Sequence, residues 1–224
     1  MKQKHLCLFL LVSVLMLAGC TKEPIPNNTG NNGGGNGGTN VNVPSQAAVK
    51  VGQTYNLGSA QSWSSSNTFV ATVESNGIIT GQHVGNCTVS CPYGSCRVTV
   101  SATINLFRDP ITQWGMSKTQ VISQEGYDYE ETSGGAIGYQ TGNTIAPVLM
   151  YTFQNNQLKT ASIMVKNTYT SQVVDHLKER YRYLGYEGGA YYFADGVSSS
   201  DSKTAVVLQY LNTSYWAVHY AEHP

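Results

Sequence analysis

The chain has 224 residues, 13 basic and 13 acidic groups, and only 12% charged residues. Such a balance excludes a global field that would draw nucleic acid or an anionic membrane face. Hydrophobic residues make up 41%, with 23 Gly and 15 Tyr, which fits a folded chain rich in turns and strands and excludes general disorder.

Lys2 and Lys4 open the chain, and Leu6 to Ala18 is an almost unbroken apolar run of 13 residues. A spanning helix needs about 20, so residues 1–19 read as a secretory signal peptide. The run ends in Leu17-Ala18-Gly19-Cys20, which resembles the lipobox of bacterial lipoproteins. That resemblance implies cleavage before Cys20, a diacylglycerol on its sulfur and a fatty acid such as palmitate on its amino group. Two or more acyl chains hold a protein stably on a membrane. The expected location is the cell envelope, anchored by lipid at the outer membrane, with a cell-surface placement left open. After cleavage 11 basic and 13 acidic groups remain.

Residues 20–43 form a lipid-anchored linker. From Asn27 to Asn42, 13 of 16 residues are Gly or Asn. Gly-rich chain behaves as a flexible coil, so the span from Cys20 to Val43 predicts a reach of roughly 25–30 Å.

Residues 44–102 read as short strands. Thr54-Tyr55-Asn56-Leu57 alternates, Phe69 to Val73 is β-branched, and Asn76-Gly77 is a tight-hairpin signal. Cys87 to Cys91 and Cys96 to Val100 alternate at period 2. A small all-β sandwich follows. Trp63-Ser64-Ser65-Ser66-Asn67, Val70-Ala71-Thr72-Val73, Asn76-Gly77, Ile79-Thr80-Gly81 and Gly85 resemble the bacterial Ig-like group 2 (BIG2) domain. The resemblance implies an Ig-like sandwich, used in surface proteins as a spacer or adhesive unit, with no catalytic residue. The stretch from Leu57 to Trp63 is shorter than is usual for that family. Trp63 is expected in the core. Cys91 and Cys96 flank Pro92-Tyr93-Gly94-Ser95. Facing residues on antiparallel strands lie within disulfide range, so a Cys91–Cys96 bond is expected, with Cys87–Cys96 as the rival pairing. A zinc site is not expected, since His83 is the one further ligand nearby.

Residues 103–224 have a different texture. Ser117 and Gln120 suit a capping box at a helix start. A second helix is predicted over about Ser171 to Tyr183, with Val173, Val174, Leu177, Tyr181 and Leu184 on one stripe. Strands are predicted at Ala136–Gln140, Pro147–Phe153, Leu158–Val165, Ala190–Ala194, Thr204–Leu211 and Ser214–Tyr220. Gln120-Val121-Ile122 echoes Gln172-Val173-Val174, with Tyr129 and Tyr139 falling on Tyr181 and Tyr191. Val148-Leu149-Met150-Tyr151 echoes Val207-Leu208-Gln209-Tyr210. The expected fold class is therefore multi-domain: an all-β Ig-like sandwich, then an α+β domain of two half-repeats, each a helix plus three antiparallel strands. Element order alone is similar to the β-lactamase-inhibitor-protein-like fold, which establishes no function.

No nucleophile elbow, zinc-protease helix, phosphate loop or dinucleotide fingerprint occurs, so no enzyme activity, cofactor or metal is expected. Asp128, Glu130 and Glu131 could serve a glycan-acting hydrolase but read more simply as a solvated turn. The loop from Asp195 to Asp201 lacks the carboxylate density of a calcium loop. Aromatic residues crowd the carboxyl-terminal third, and Tyr191, Tyr192, Phe193, Tyr215 and Trp216 are the candidate ligand-binding residues. Alternation puts Tyr191 and Phe193 opposite Tyr192, and Trp216 and Tyr220 opposite Tyr215. One set should pack under the helices and the other line an open face. The expected function is non-catalytic binding of an unknown protein, peptide or glycan. The alternatives are a structural role in an envelope or surface assembly, and a glycan hydrolase.

Overall fold

The computed structural model describes residues 42–126 and 128–223. Residues 1–19, expected as a signal peptide, Cys20 and the expected linker up to residue 41 lie outside the described residues. The fold is β-rich with two short helices, and no helix among the described residues is long and apolar enough to cross a membrane.

Seven strands come first: β1 (Gln46–Lys50), β2 (Thr54–Asn56), β3 (Ser64–Ser65), β4 (Ala71–Val73), β5 (Ile78–Gly81), β6 (Gly85–Cys91) and β7 (Gly94–Ser101). They form one sheet in the order β1-β7-β6-β3 and another in the order β2-β5-β4. β1 runs parallel to β7, and the other pairs are antiparallel. One core lies between the sheets, built from Val49, Leu57, Val70, Ala71, Ile79, Val89, Val98 and Val100 with Cys87 and Cys96, and Trp63 packs against it. Period-2 patterning produces this core, since every second residue of β7 is buried. The Asn76-Gly77 turn forms as predicted. Gly77 has φ +84°, and a Cβ there would sit 2.1 Å from the Gly58 carbonyl oxygen, so only glycine fits.

The second body begins after a segment that reaches residue 117. Its elements are α1 (Lys118–Glu125), β8 (Tyr129–Glu131), β9 (Ile137–Gln140), β10 (Val148–Gln154), β11 (Gln157–Lys166), α2 (Thr170–Lys178), β12 (Arg182–Glu187), β13 (Ala190–Ala194), β14 (Thr204–Tyr210) and β15 (Tyr215–Glu222). The predicted capping box at Ser117 and Gln120 is present. All eight strands join one antiparallel sheet in the order β12-β13-β14-β15-β11-β10-β9-β8. The order is palindromic: each half is a meander, and the last strands of the two halves meet at the centre.

Each half therefore carries four strands after its helix, and the expected three is corrected. β8 and β12 are the additions. β8 replaces part of the solvated turn expected at Asp128, Glu130 and Glu131; all three of its residues are exposed, so no buried alternation marks it. The predicted second helix ends at Lys178 instead of Tyr183. Tyr181 and Leu184 continue the helical stripe in sequence. However, a bulge between Tyr183 and Gly185 interrupts the two-residue period by which β12 would be recognised.

Helix residues Val121, Val173, Val174 and Leu177 meet Tyr139, Leu149, Tyr151, Ala161, Ile163, Phe193, Val206, Leu208, Val218 and Tyr220 in one core on a single face of the sheet. Burying each large apolar side chain contributes about 1.5–3 kcal/mol. His176 is also fully buried, against Phe107 at 4.2 Å between ring centroids. Its Nδ1 accepts from the Leu106 amide, and burial together with nearby Arg180 lowers its pKa to about 3.

The two sheet systems meet at the end of α2. The Val84 amide donates to the Glu179 carbonyl at 2.8 Å. The Glu179 carboxylate accepts from the amides of Thr103 (2.8 Å) and Ile104 (2.9 Å), and from the Thr103 hydroxyl. Partial burial opposes ionisation there, but these hydrogen bonds hold the carboxyl below its ordinary value. Arg180 donates to Asp109, Asn105 and the carbonyls of Ile104 and His176.

Candidate functional site

The sheet register separates the five aromatic candidates. Tyr191, Phe193 and Trp216 share the face that carries the core; Phe193 is 1% exposed, and Tyr191 and Trp216 are half-buried at the core's margin. Tyr192 and Tyr215 lie on the other face, as alternation requires. Five candidates thus do not form one site. The expectation of an aromatic open face is corrected, because most of the aromatic mass lies on the helix side.

Along that helix side an exposed row remains. Tyr186 on β12 contacts Tyr191 on β13 at 4.6 Å between centroids. Tyr191 contacts Trp216 on β15 at 6.0 Å, and Trp216 meets Tyr210 on β14 edge-on at 6.1 Å. Tyr186 and Tyr210 are 57% and 55% exposed. Four rings thus sit on four strands, held by cross-strand hydrogen bonding and by packing on the core below. Tyr183 and Leu184 extend the exposed apolar surface along β12, with Lys178 over the Tyr183 ring at 5.2 Å. Tyr186 and Tyr210 are the members that the five-residue candidate set lacks. A sequence signal for Tyr186 exists. Gly188 and Gly189 both have positive φ and make a two-residue hairpin turn, which sets Tyr186 opposite Tyr191.

The opposite face carries Met150, Met164, Val207 and Tyr192 around a polar centre. There His219 Nδ1 lies 2.9 Å from the Ser162 hydroxyl, and its Nε2 lies 3.0 Å from the Gln209 amide. Burial lowers the His219 pKa. Ser162, His219 and Gln209 thus form a chain of contacts that cross-links β11, β15 and β14.

The remaining candidates do not converge. Asp128 is exposed, and Glu130 and Glu131 lie on the edge strand β8, where successive side chains face opposite ways and Glu131 pairs with Lys118. Asp195 uses its carboxylate to accept from the amides of Lys203 and Thr204. Among the described residues no three His, Cys, Asp or Glu side chains are placed to hold a metal ion. The β6–β7 hairpin turns through Pro92 and Tyr93 alone, so Cys91 pairs with Gly94 and Cys96 with Val89. This tighter turn removes the expected Cys91–Cys96 disulfide: Cys87, Cys91 and Cys96 are all free thiols. Burial pushes the thiols of Cys87 and Cys96 up.

One further carboxylate is buried in the first half of the sheet. Glu125 accepts from the Tyr151 hydroxyl and from Arg108, while Tyr151 oxygen accepts from the Ile111 amide at 2.8 Å. Burial and the Glu125 hydrogen bond raise the Tyr151 pKa, and burial beside Glu125 pushes Tyr139 up to about 12. These contacts pin the segment before α1 to the sheet. Comparison with known proteins finds no family model that matches the chain and no match among curated proteins.

Proposed function

We propose that this is a lipid-anchored cell-envelope protein. In it a bacterial Ig-like spacer, residues 44–102, presents an α+β domain, residues 103–224, for non-catalytic binding of a protein, peptide or glycan. The observation that carries the reading is the row Tyr186–Tyr191–Trp216–Tyr210, with two exposed rings flanking two half-buried ones on neighbouring strands. Tyr and Trp give large contact area at low entropic cost and dominate binding hot spots. The course of the chain supports the spacer role. Val43 lies beside Gly94 at the start of β7, and β1 and β7 then run parallel to Ser101, next to the junction at Glu179. The amino-terminal side therefore meets the two-sheet unit at the pole away from the eight-stranded sheet.

The test is an array of glycans, peptides and proteins probed with the full processed chain. The expected outcome is a retained ligand whose binding weakens about tenfold or more in Trp216→Ala and Tyr210→Ala, with unchanged circular dichroism. A ligand indifferent to both changes, or no ligand, would count against the reading. Membrane fractionation of Cys20→Ser tests the anchor separately: release into the soluble fraction is expected, and unchanged sedimentation with membranes refutes it.

A further inference from the structure

We infer that the free edge of β12 pairs with β12 of a second copy of this chain, antiparallel about a two-fold axis, to make one continuous sheet. β12 is the last strand on its side of the sheet, and the edge backbone of Tyr183–Glu187 has no hydrogen-bond partner beyond β13 among the described residues. Unpaired edge strands template further pairing, and natural proteins usually guard them with charge or cover. Here the edge presents Tyr183, Leu184 and Tyr186, each more than 40% exposed.

The sequence Arg182-Tyr183-Leu184-Gly185-Tyr186-Glu187 is self-complementary. With the two-fold axis between Leu184 and Gly185, Arg182 falls opposite Glu187 of the second copy, and Tyr183 opposite its Tyr186. The faces agree. Arg182 and Glu187 pair with Ala194 and Ala190, which share one face of β13, while Tyr183 and Tyr186 pair with Phe193 and Tyr191 on the other. The bulge sits at the axis, so each strand brings the same two residues to the centre.

Charge complementarity identifies the partner. Among the described residues neither Arg182 nor Glu187 has an ion-pair partner. Arg182 Nε donates to the Gly196 carbonyl, and its Nη2 has no acceptor. That Nη2 is covered by the chain itself, so the pairing rests on the remainder of the half-exposed Arg182 side chain, which each copy sets opposite the exposed Glu187 of the other. The opposite edge argues the same way by contrast. β8 is Tyr129-Glu130-Glu131, and a two-fold pairing there would set Glu130 against Glu130. One edge of the sheet repels its own copy and the other fits it, so the assembly closes as a dimer instead of growing as a filament. This inference goes beyond the binding proposal and shares Tyr186 with its aromatic row.

Sedimentation equilibrium of the full processed chain tests it. A dimer is expected. Glu187→Arg creates two like-charge pairs per dimer and should raise the dissociation constant about tenfold, and the double variant Arg182→Glu/Glu187→Arg should recover to within about threefold of the unaltered protein. A second measurement does not depend on charge: Tyr183→Cys/Tyr186→Cys should yield disulfide-linked dimers on oxidation, and neither single variant should. A monomer at the highest soluble concentration, a dimer indifferent to Glu187→Arg, no recovery in the double charge variant, or open-ended species would each overturn the pairing.

Discussion

The two halves of the eight-stranded sheet preserve one row of side chains and diverge around it. Tyr139, Leu149, Ile163, Val218, Leu208 and Tyr191 lie side by side across six strands, and the row reads alike from either end. Beyond it the halves part. Tyr151 of β10 is fully buried and hydrogen-bonded to Glu125 and the Ile111 amide, whereas its sequence echo Tyr210 of β14 is 55% exposed. The helices differ in the same sense. α1 buries only Val121 and Glu125, while α2 buries Val173, Val174, His176 and Leu177. The first half uses Tyr151 to fasten the connecting segment, and the second leaves Tyr210 at the surface. The halves are joined along β11 and β15, whose seven register pairs include Ile163–Val218 of that row.

Three measurements break or sharpen that contrast. The largest effect is expected at Leu177, fully buried on α2. Leu177→Ala should cost about 2–5 kcal/mol in urea unfolding, and Val121→Ala on α1 should cost less. Equal costs would show that both helices carry the core alike. The second effect depends on pH. His176 is held neutral in the fold, with its pKa lowered to about 3. Between pH 6.5 and that value the unfolded chain binds a proton that the fold excludes. Its stabilisation is therefore complete above pH 6.5 and is lost as pH falls, at roughly 1 kcal/mol per pH unit. Glu179, also lowered, adds a loss below its ordinary value near 4.5. His176→Gln keeps an acceptor for the Leu106 amide and should flatten the fall of melting temperature between pH 6.5 and 3; an unchanged slope would remove His176 from the account. The smallest effect separates the paired tyrosines. Tyr151→Phe leaves the Ile111 amide without its acceptor and should cost about 1–3 kcal/mol, whereas Tyr210→Phe should stay within about 0.5 kcal/mol.

Local chemistry made much of this fold legible in the sequence. The Ser117–Gln120 capping box, the Asn76-Gly77 turn and the parity of the aromatic strands each depend on residues a few positions apart. Features set at longer range were not legible. The end of α2 is fixed by Glu179 and Arg180, whose partners lie some 70 positions earlier at Thr103 to Asp109, and no periodicity records that. The cysteine pairing failed over two residues, because a turn of Pro92 and Tyr93 shifts Cys96 from Cys91 to Val89. Of the aromatic site, its strands and parity could be read. Which rings are covered could not, since that depends on where the segment before α1 lies.

The parallel β1–β7 pair has a mechanical consequence. The chain reaches β1 beside Gly94 and leaves β7 at Ser101, so a pull between the amino-terminal side and the eight-stranded sheet acts along the two strands in opposite senses. All five register pairs from Gln46–Arg97 to Lys50–Ser101 then bear the load together in shear, and none can be unzipped singly. A two-sheet unit loaded in this way resists being pulled open between its first strand and its last.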